Sequence, residues 1–394
     1  MPTTGPSSPA KRISPSPSKK LPGLALALLA ALAQAAWTPA LAQPHGRHAA
    51  VRHAPQSTSP DYSARADVRA FIDDMVDRHG FRRDELYRLF AKARYQPSIV
   101  RAMQPPPGTP APSWPSYRPM FVNAERIAAG RRFQERYAAT LARAEAQFGV
   151  PAEVMTAIIG VETIYGRNTG RYRVVDALAT LAFDYPPRAD YFRQELEHFL
   201  LLSRETGVDV LEVKGSYAGA MGMPQFMPGS IQRFALDYDG DGRTDLASAA
   251  DAIGSVANFL AQHGWQRGGP IALPVRVAGA RPVQWLDAGI KPSLRVPDLT
   301  TLEFTSGTPV VDPDELVTLV ELPSETPEYR LGFNNFYVLT RYNRSSMYAM
   351  AVMELAQALR APALPMPVPV PTLAPAAIPA AVIAPAPTGF GSPN

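Results

Sequence analysis

Val150-Pro151-Ala152-Glu153-Val154-Met155-Thr156-Ala157-Ile158-Ile159-Gly160-Val161-Glu162-Thr163-Ile164-Tyr165-Gly166 is the stretch that decides how this chain is read. Val154, Met155, Ile158 and Ile159 recur at the spacing of one helix face, and Glu162 continues that stripe where the periodicity calls for an apolar side chain. A carboxyl group on an apolar face near the last turn of a helix loses hydration. That disfavours its charged form and raises its pKa toward the range useful for proton donation. Two readings stand at this point: a general acid, or a partly buried glutamate held by a neighbouring arginine or backbone donor.

Outward from this helix, the termini bound the class of protein. Lys11, Arg12, Lys19 and Lys20 precede an apolar run from Leu21 to Ala36 and a small-residue site at Ala40-Leu41-Ala42. Residues 1–42 therefore read as a secretion signal, with the mature chain expected from Gln43 and a flexible start over 43–63. The apolar run is shorter than the roughly 20 residues a membrane-spanning helix needs. The signal holds four basic residues and no acidic ones, so the formal net charge of +4 falls to zero without it. No basic stripe then remains to support nucleic-acid binding. The chain has no cysteine, which excludes disulfides, thiolate metal sites, cysteine nucleophiles and a lipid-carrying cysteine. His79, His198 and His263 show no ligand spacing. Residues 361–394 are Ala-Pro repeats that cannot build a core, because proline blocks helix and sheet hydrogen bonding; they read as a disordered tail or spacer. The expectation is a soluble, exported, monomeric protein.

Between residues 64 and 360 the pattern is mainly helical. Helices are predicted over Asp67–Arg78, Arg83–Lys92, Asn123–Phe148, Pro151–Tyr165, Val174–Phe183, Arg188–Thr206, Pro228–Leu236, Ala249–Gly264 and Tyr342–Leu359. Residues 104–119 are proline-rich and predicted extended, presenting Trp114 and Tyr117 either to a sugar groove or as pins on the core. Ile271–Val277, Thr301–Phe304, Leu316–Glu321 and Tyr329–Leu339 read as strands. The fold class is thus α+β, mainly α, with a smaller strand-rich lobe at about 266–340 inserted before the last helix.

Lys214 to Ser230 combines glycines and small residues with Gln225. Such residues permit close backbone approach, either for a tight helix contact or for the floor of a sugar groove. Taken in order, Gly160-Val161-Glu162-Thr163, Tyr165-Gly166-Arg167, Asp176 to Leu181, Tyr185-Pro186, Ala218 to Gly222, Gln225 to Pro228 and Asp251 to Asn258 resemble the lytic murein transglycosylase B family over roughly Asp67 to Leu359.

The resemblance implies a goose-type lysozyme-like fold. It also implies a periplasmic enzyme that cleaves the β-1,4 bond between N-acetylmuramic acid and N-acetylglucosamine in peptidoglycan with 1,6-anhydro ring closure, and no organic cofactor. Glu162 would be the only catalytic carboxylate. Ordinary glycosidases use two, and Asp184, Glu195 and Glu197 are the sequence candidates for a second, expected to be solvated. The resemblance carries substrate contacts onto Tyr117, Arg188, Ser216, Gln225, Phe259, Tyr342, Asn343 and Tyr348. Ser216 is expected to hold the glutamate or the substrate acetamido group. Two positions depart from the pattern: Pro187 replaces one of a pair of arginines, and Phe259 stands where a tyrosine is common. Alternatives are a hydrolytic muramidase or a non-catalytic peptidoglycan-binding protein. Beyond glycan strands, proteins of cell-wall synthesis or division are candidate partners.

Asp237-Tyr238-Asp239-Gly240-Asp241-Gly242-Arg243-Thr244-Asp245 places carboxylates at alternate positions and glycine at the turn, the pattern of a calcium loop. The twelfth position, where a closing acid belongs, is Ser248. The family resemblance implies a longer loop, closed by Asp251, with Asp237, Asp239, Asp241 and the Arg243 carbonyl as further ligands. The cation would be structural calcium, with sodium as the alternative.

Overall fold

The structure is a computed structural model that describes residues 61–104, 108–304 and 311–360. The predicted signal, most of the mature start and the Ala-Pro tail lie outside the described residues. Fourteen α-helices and seven strands follow one another within them. Helices α1 (Ala66–His79), α2 (Arg83–Lys92) and α3 (Pro97–Met103) lead to α4 (Trp114–Phe121), α5 (Ala124–Arg136), α6 (Ala138–Phe148) and α7 (Ala152–Thr163). Strand β1 (Tyr172–Arg173), α8 (Val174–Asp184), α9 (Ala189–Thr206), β2 (Lys214–Gly215), α10 (Pro228–Phe234) and α11 (Ala249–Gln262) come next. The strand-rich lobe contains β3 (Ala272–Val277), α12 (Val283–Leu286), β4 (Leu294–Arg295), β5 (Leu302–Phe304), β6 (Leu316–Leu322) and β7 (Glu328–Gly332). Helices α13 (Asn334–Tyr342) and α14 (Ser346–Arg360) close the described chain.

Two helical cores carry the molecule. One is built on α1–α3, α8 and α9, the other on α4–α7, α11, α13 and α14. At the centre of the second, α7 is buried on every side from Val154 to Val161, so the single stripe read from sequence understates it. Glu162 is the break in that burial and keeps a partial opening to solvent. The sheet is antiparallel in the order β4-β6-β7-β3-β5. Alternation along β6 joins it to both neighbours, with Val317 and Leu319 in the lobe's own core and Val320 and Leu322 in the helical core.

Four boundaries differ from expectation. Tyr62 is fully buried and its hydroxyl donates to Asp184 at 2.6 Å, so the packed chain begins before residue 64. The end of the segment expected to be extended, from Trp114 on, forms α4 instead, because Pro115 sits in the first turn, where a missing N–H costs nothing. Trp114, Tyr117 and Phe121 fall on one buried face, and Trp114 N–H reaches the Pro323 carbonyl at 2.6 Å. The predicted helix over 123–148 breaks at Tyr137, which leaves helical geometry at ψ 26°. Finally, the strand predicted over 329–339 stops at Gly332. Asn335, Phe336, Val338 and Leu339 then bury at helical spacing in α13, while the Asn335 amide ties that helix to Gln266 and Gly269. Two helices therefore follow the lobe, rather than one.

Candidate active site

Glu162 lies one residue before the end of α7, and the chain stops the helix there at a local conformational cost. Ile164 and Tyr165 both take left-handed backbone, at φ 53° and 59°. For a β-branched residue such a conformation is a true outlier, of the kind found at functional sites. The turn is held from both sides: the Thr163 hydroxyl donates to the Met223 carbonyl at 2.9 Å and accepts from Gly166 N–H at 3.0 Å. Tyr165 folds back over α7 so closely that a Cβ on Gly160 would lie 2.5 Å from its hydroxyl.

Around the carboxyl stand hydroxyls and one cation. The Tyr348 hydroxyl donates to Glu162 Oε1 at 2.7 Å. Burial pushes the Glu162 carboxyl up to about 7, opposed by the Tyr348 hydrogen bond and by the positive charge of Arg126. Burial likewise raises the hydroxyls of Tyr348, Tyr342 and Tyr117, and each is raised further by the charge of Glu162. All three therefore stay neutral donors beside the acid. Tyr117 is buried in α4, with its hydroxyl unpartnered. It is thus one wall of the acid's chamber, not an aromatic presented on a loop.

A groove of about 350 Å³ opens beside this chamber, at the seam between the two helical cores. Gln225, Phe226, Phe259 and Tyr342 line it together with Arg188, Glu195, Arg233 and His263. The volume is at the lower end of ligand pockets. Glu162 is not part of its lining; Tyr342 connects the two, with its ring stacked on Tyr348 at 6.3 Å and 9° and its hydroxyl on the Pro224 carbonyl at 2.5 Å. Phe259 packs against Phe226 and Tyr342, and His263 stacks on it at 4.1 Å. Gln225, in left-handed backbone at φ 52°, donates to the Thr169 and Gly222 carbonyls. Arg188 lies over the Tyr191 ring at 4.4 Å. Asn343 is buried at the end of α13.

Ser216 belongs to the small-residue loop, and its hydrogen bonds there are to backbone. Its Oγ accepts Ala220 N–H at 3.0 Å and Ala218 N–H at 3.3 Å, so it shapes the small-residue loop. That loop lies against a helix: a Cβ on Gly219 would come within 2.5 Å of Leu178 of α8.

None of the three candidate second acids is free in solvent. Asp184 pairs with Arg65, and Glu197 with Arg78 and His79. Glu195 is buried on the groove, its carboxyl raised by burial and its Oε2 bound to Gly229 N–H at 2.8 Å. It falls on a stripe with Phe192, Leu196 and Phe199, the same signal that marked Glu162. Arg126, unremarked in the sequence, is equally readable, since it lies four and seven residues before Gly130 and Phe133 on the buried face of α5.

In the acidic loop, oxygens of Asp237, Asp239 and Asp251 converge within 4.8 Å. Asp251, buried in the first turn of α11, accepts Tyr238 N–H and Asp245 N–H, each at 2.7 Å. Asp241 lies outside this trio and accepts Arg243 N–H at 2.8 Å. Ser248 donates to Asp239 at 3.2 Å, and Asp251 is the acid that completes the convergent trio.

Comparison with known proteins fixes the family. The profile of the transglycosylase SLT domain matches residues 63–357. This chain belongs to that family. It is 41% identical over 308 residues to the membrane-bound lytic murein transglycosylase B of Escherichia coli strain K12, covering 76% of this chain and 84% of that one. The structure of the Escherichia coli lytic transglycosylase Slt35 in complex with calcium superposes with a TM-score of 0.68 at 40% identity, over 76% of this chain and 95% of that one. SltB3 from Pseudomonas aeruginosa, in complex with NAG-NAM-pentapeptide, gives 0.66 at 29% identity over 74% and 79%. The fold is thus the lysozyme-like one of lytic transglycosylases, and the chain is a lytic transglycosylase that acts on the glycan of peptidoglycan. Among the described residues no helix is long and apolar enough to cross a membrane.

Proposed function

We propose that this enzyme cleaves the β-1,4 bond between N-acetylmuramic acid and N-acetylglucosamine and leaves a 1,6-anhydromuramyl end, with Glu162 as the single proton carrier. The observation that carries this reading is the Glu162 carboxyl itself, raised to about 7 by burial and held at 2.7 Å by a neutral tyrosine. A carboxylic acid in that range is still protonated near neutrality and yet able to release its proton. Glu162 gives that proton to the glycosidic oxygen as the C–O bond breaks, and the N-acetylglucosamine side leaves as an alcohol. The substrate's acetamido group supports the anomeric carbon. The Glu162 carboxylate then takes the proton of the muramyl 6-hydroxyl as O6 attacks that carbon, which restores the acid and consumes no water.

Glu195 favours a second reading, hydrolysis by two carboxyls, because it lines the groove and its carboxyl is also raised. Mass analysis of products from purified peptidoglycan separates the two. Anhydro ends, lighter by one water than reducing ends, support the proposal, and reducing ends overturn it.

Gln225, Phe259 and Tyr342 are read as glycan contacts because they line the groove next to the acid. Pentapeptide-bearing glycan, as seen bound to SltB3, is the substrate class this suggests. For the acidic loop, Asp237, Asp239 and Asp251 supply hard oxygens within 4.8 Å of one another, the kind of ligand calcium takes. Asp241 and the Arg243 carbonyl are the remaining ligands proposed. Calcium there would neutralise the carboxylates and fix the loop against α11, and it takes no part in the proton transfers. Export rests on the composition of residues 1–42.

A further inference from the structure

Arg126 is a buried arginine to which no carboxylate is bound among the described residues. It is 3% exposed, and burial lowers its pKa. Its guanidinium donates to the Gly160 carbonyl, to the Val161 carbonyl at 3.5 Å and to the Met120 carbonyl at 3.2 Å, while its Nε–H has no partner. It also lies over the Phe121 ring at 5.5 Å. A buried cation left so under-satisfied is costly unless something compensates its charge. Two features of α7 do so. Gly160 and Val161 lie in the last turn of that helix, whose carbonyls carry the negative end of its dipole. The second feature is Glu162, which follows directly.

We propose that Arg126 is a positioning residue for the reaction: it clamps the last turn of α7 and supplies the counter-charge for the carboxylate that Glu162 becomes on giving up its proton. This rests on the reading of Glu162 as proton carrier. The other charged or titratable groups that bear on Arg126 are Tyr165, whose hydroxyl donates to the Arg126 carbonyl at 3.0 Å, and the exposed pair Glu125 and Arg167. Those on Glu162 are Tyr348, Tyr342 and Tyr117. Neither set holds a second buried cation, so removing Arg126 removes the charge that opposes protonation of Glu162.

The test is the pH profile of turnover on purified glycan for the native enzyme, Arg126→Met and Arg126→Lys. Loss of the charge in Arg126→Met should move the alkaline limb of kcat/KM up by about one pH unit and lower kcat. Arg126→Lys keeps a charge without the planar fork, so its limb should stay in place while kcat falls several-fold at unchanged KM. A merely structural arginine would lower folded yield without moving the limb. An Arg126→Met enzyme with the native limb overturns the proposal. Should that variant not fold, Arg126→Lys decides alone, and native kcat with the native limb overturns it. Full activity in Glu162→Gln would instead sink the reading of Glu162, which keeps the two failures distinct.

Discussion

Glu162 and the Asp237–Asp251 loop use the same functional group in opposite surroundings. Glu162 is enclosed by tyrosine hydroxyls and one arginine, with a single hydrogen bond to its carboxyl. The loop carboxylates are ringed by backbone N–H groups: Asp237 accepts Gly240, Asp241 and Gly242, and Asp251 accepts Tyr238, Asp239 and Asp245. Asp237 and Asp239 are also exposed. For Glu162, burial outweighs its one hydroxyl donor and favours the neutral acid. On the proposed reading, one region hands over a proton and the other receives a cation.

The sharpest way to break this contrast is to neutralise each site. Glu162→Gln should cost on the order of a thousandfold in turnover of sacculi with an unchanged fold; retained lysis would end its role. Asp251→Asn should do the reverse. It weakens the cage that joins α11 to the loop and should lower stability by roughly 2–3 kcal/mol, read as a lower melting temperature, with turnover falling far less than in Glu162→Gln. Chelator should lower the melting temperature of the native enzyme and leave that of Asp251→Asn unmoved; equal sensitivity would place the cation elsewhere.

Tyr348→Phe removes the hydroxyl that holds Glu162 in its ionised form. The alkaline limb of activity should rise by about half to one unit, with a several-fold loss of kcat/KM. An unmoved limb would mean that the hydrogen bond does not tune the acid. The smallest effect concerns stability. The Glu162 carboxyl is raised in the folded state, so its contribution is fully present below the ordinary carboxylate range and is lost as pH rises through about 7. Glu162→Gln should therefore melt with the native enzyme at pH 4 and a few degrees above it at pH 8; the opposite order would show a carboxylate stabilised by its site.

Much of the contrast is written in the sequence. The acid announced itself because a carboxyl interrupts an apolar helix, and the loop because aspartates alternate around glycines. The same period also marks Glu195, read as a solvated candidate for a second acid, and Arg126, which passed unnoticed; both sit among charged residues on helices whose other faces are polar. The fold was harder to read where local and tertiary preferences disagree. Tyr117 and Trp114 lie among prolines, yet Pro115 is compatible with a first helical turn and burial of three aromatics favours α4. Phe336 to Leu339 are rich in strand-forming residues, yet Asn335 locks them into α13 by its bonds to Gln266 and Gly269. Ser216 carried the expectation of a contact to Glu162 or to the substrate acetamido group, and the structure adds a role no motif announced, as acceptor for Ala218 and Ala220 N–H. No local pattern encodes the long-range bonds of Asn335.

The most direct measurement is the titration of the Glu162 carboxyl in the folded enzyme, followed by carbon-13 NMR and assigned by its loss in Glu162→Gln. A single proton carrier shielded by Tyr348 and Tyr342 requires a midpoint near 7 that coincides with the alkaline limb of activity. A midpoint in the ordinary carboxylate range, with activity persisting well above it, would contradict that role.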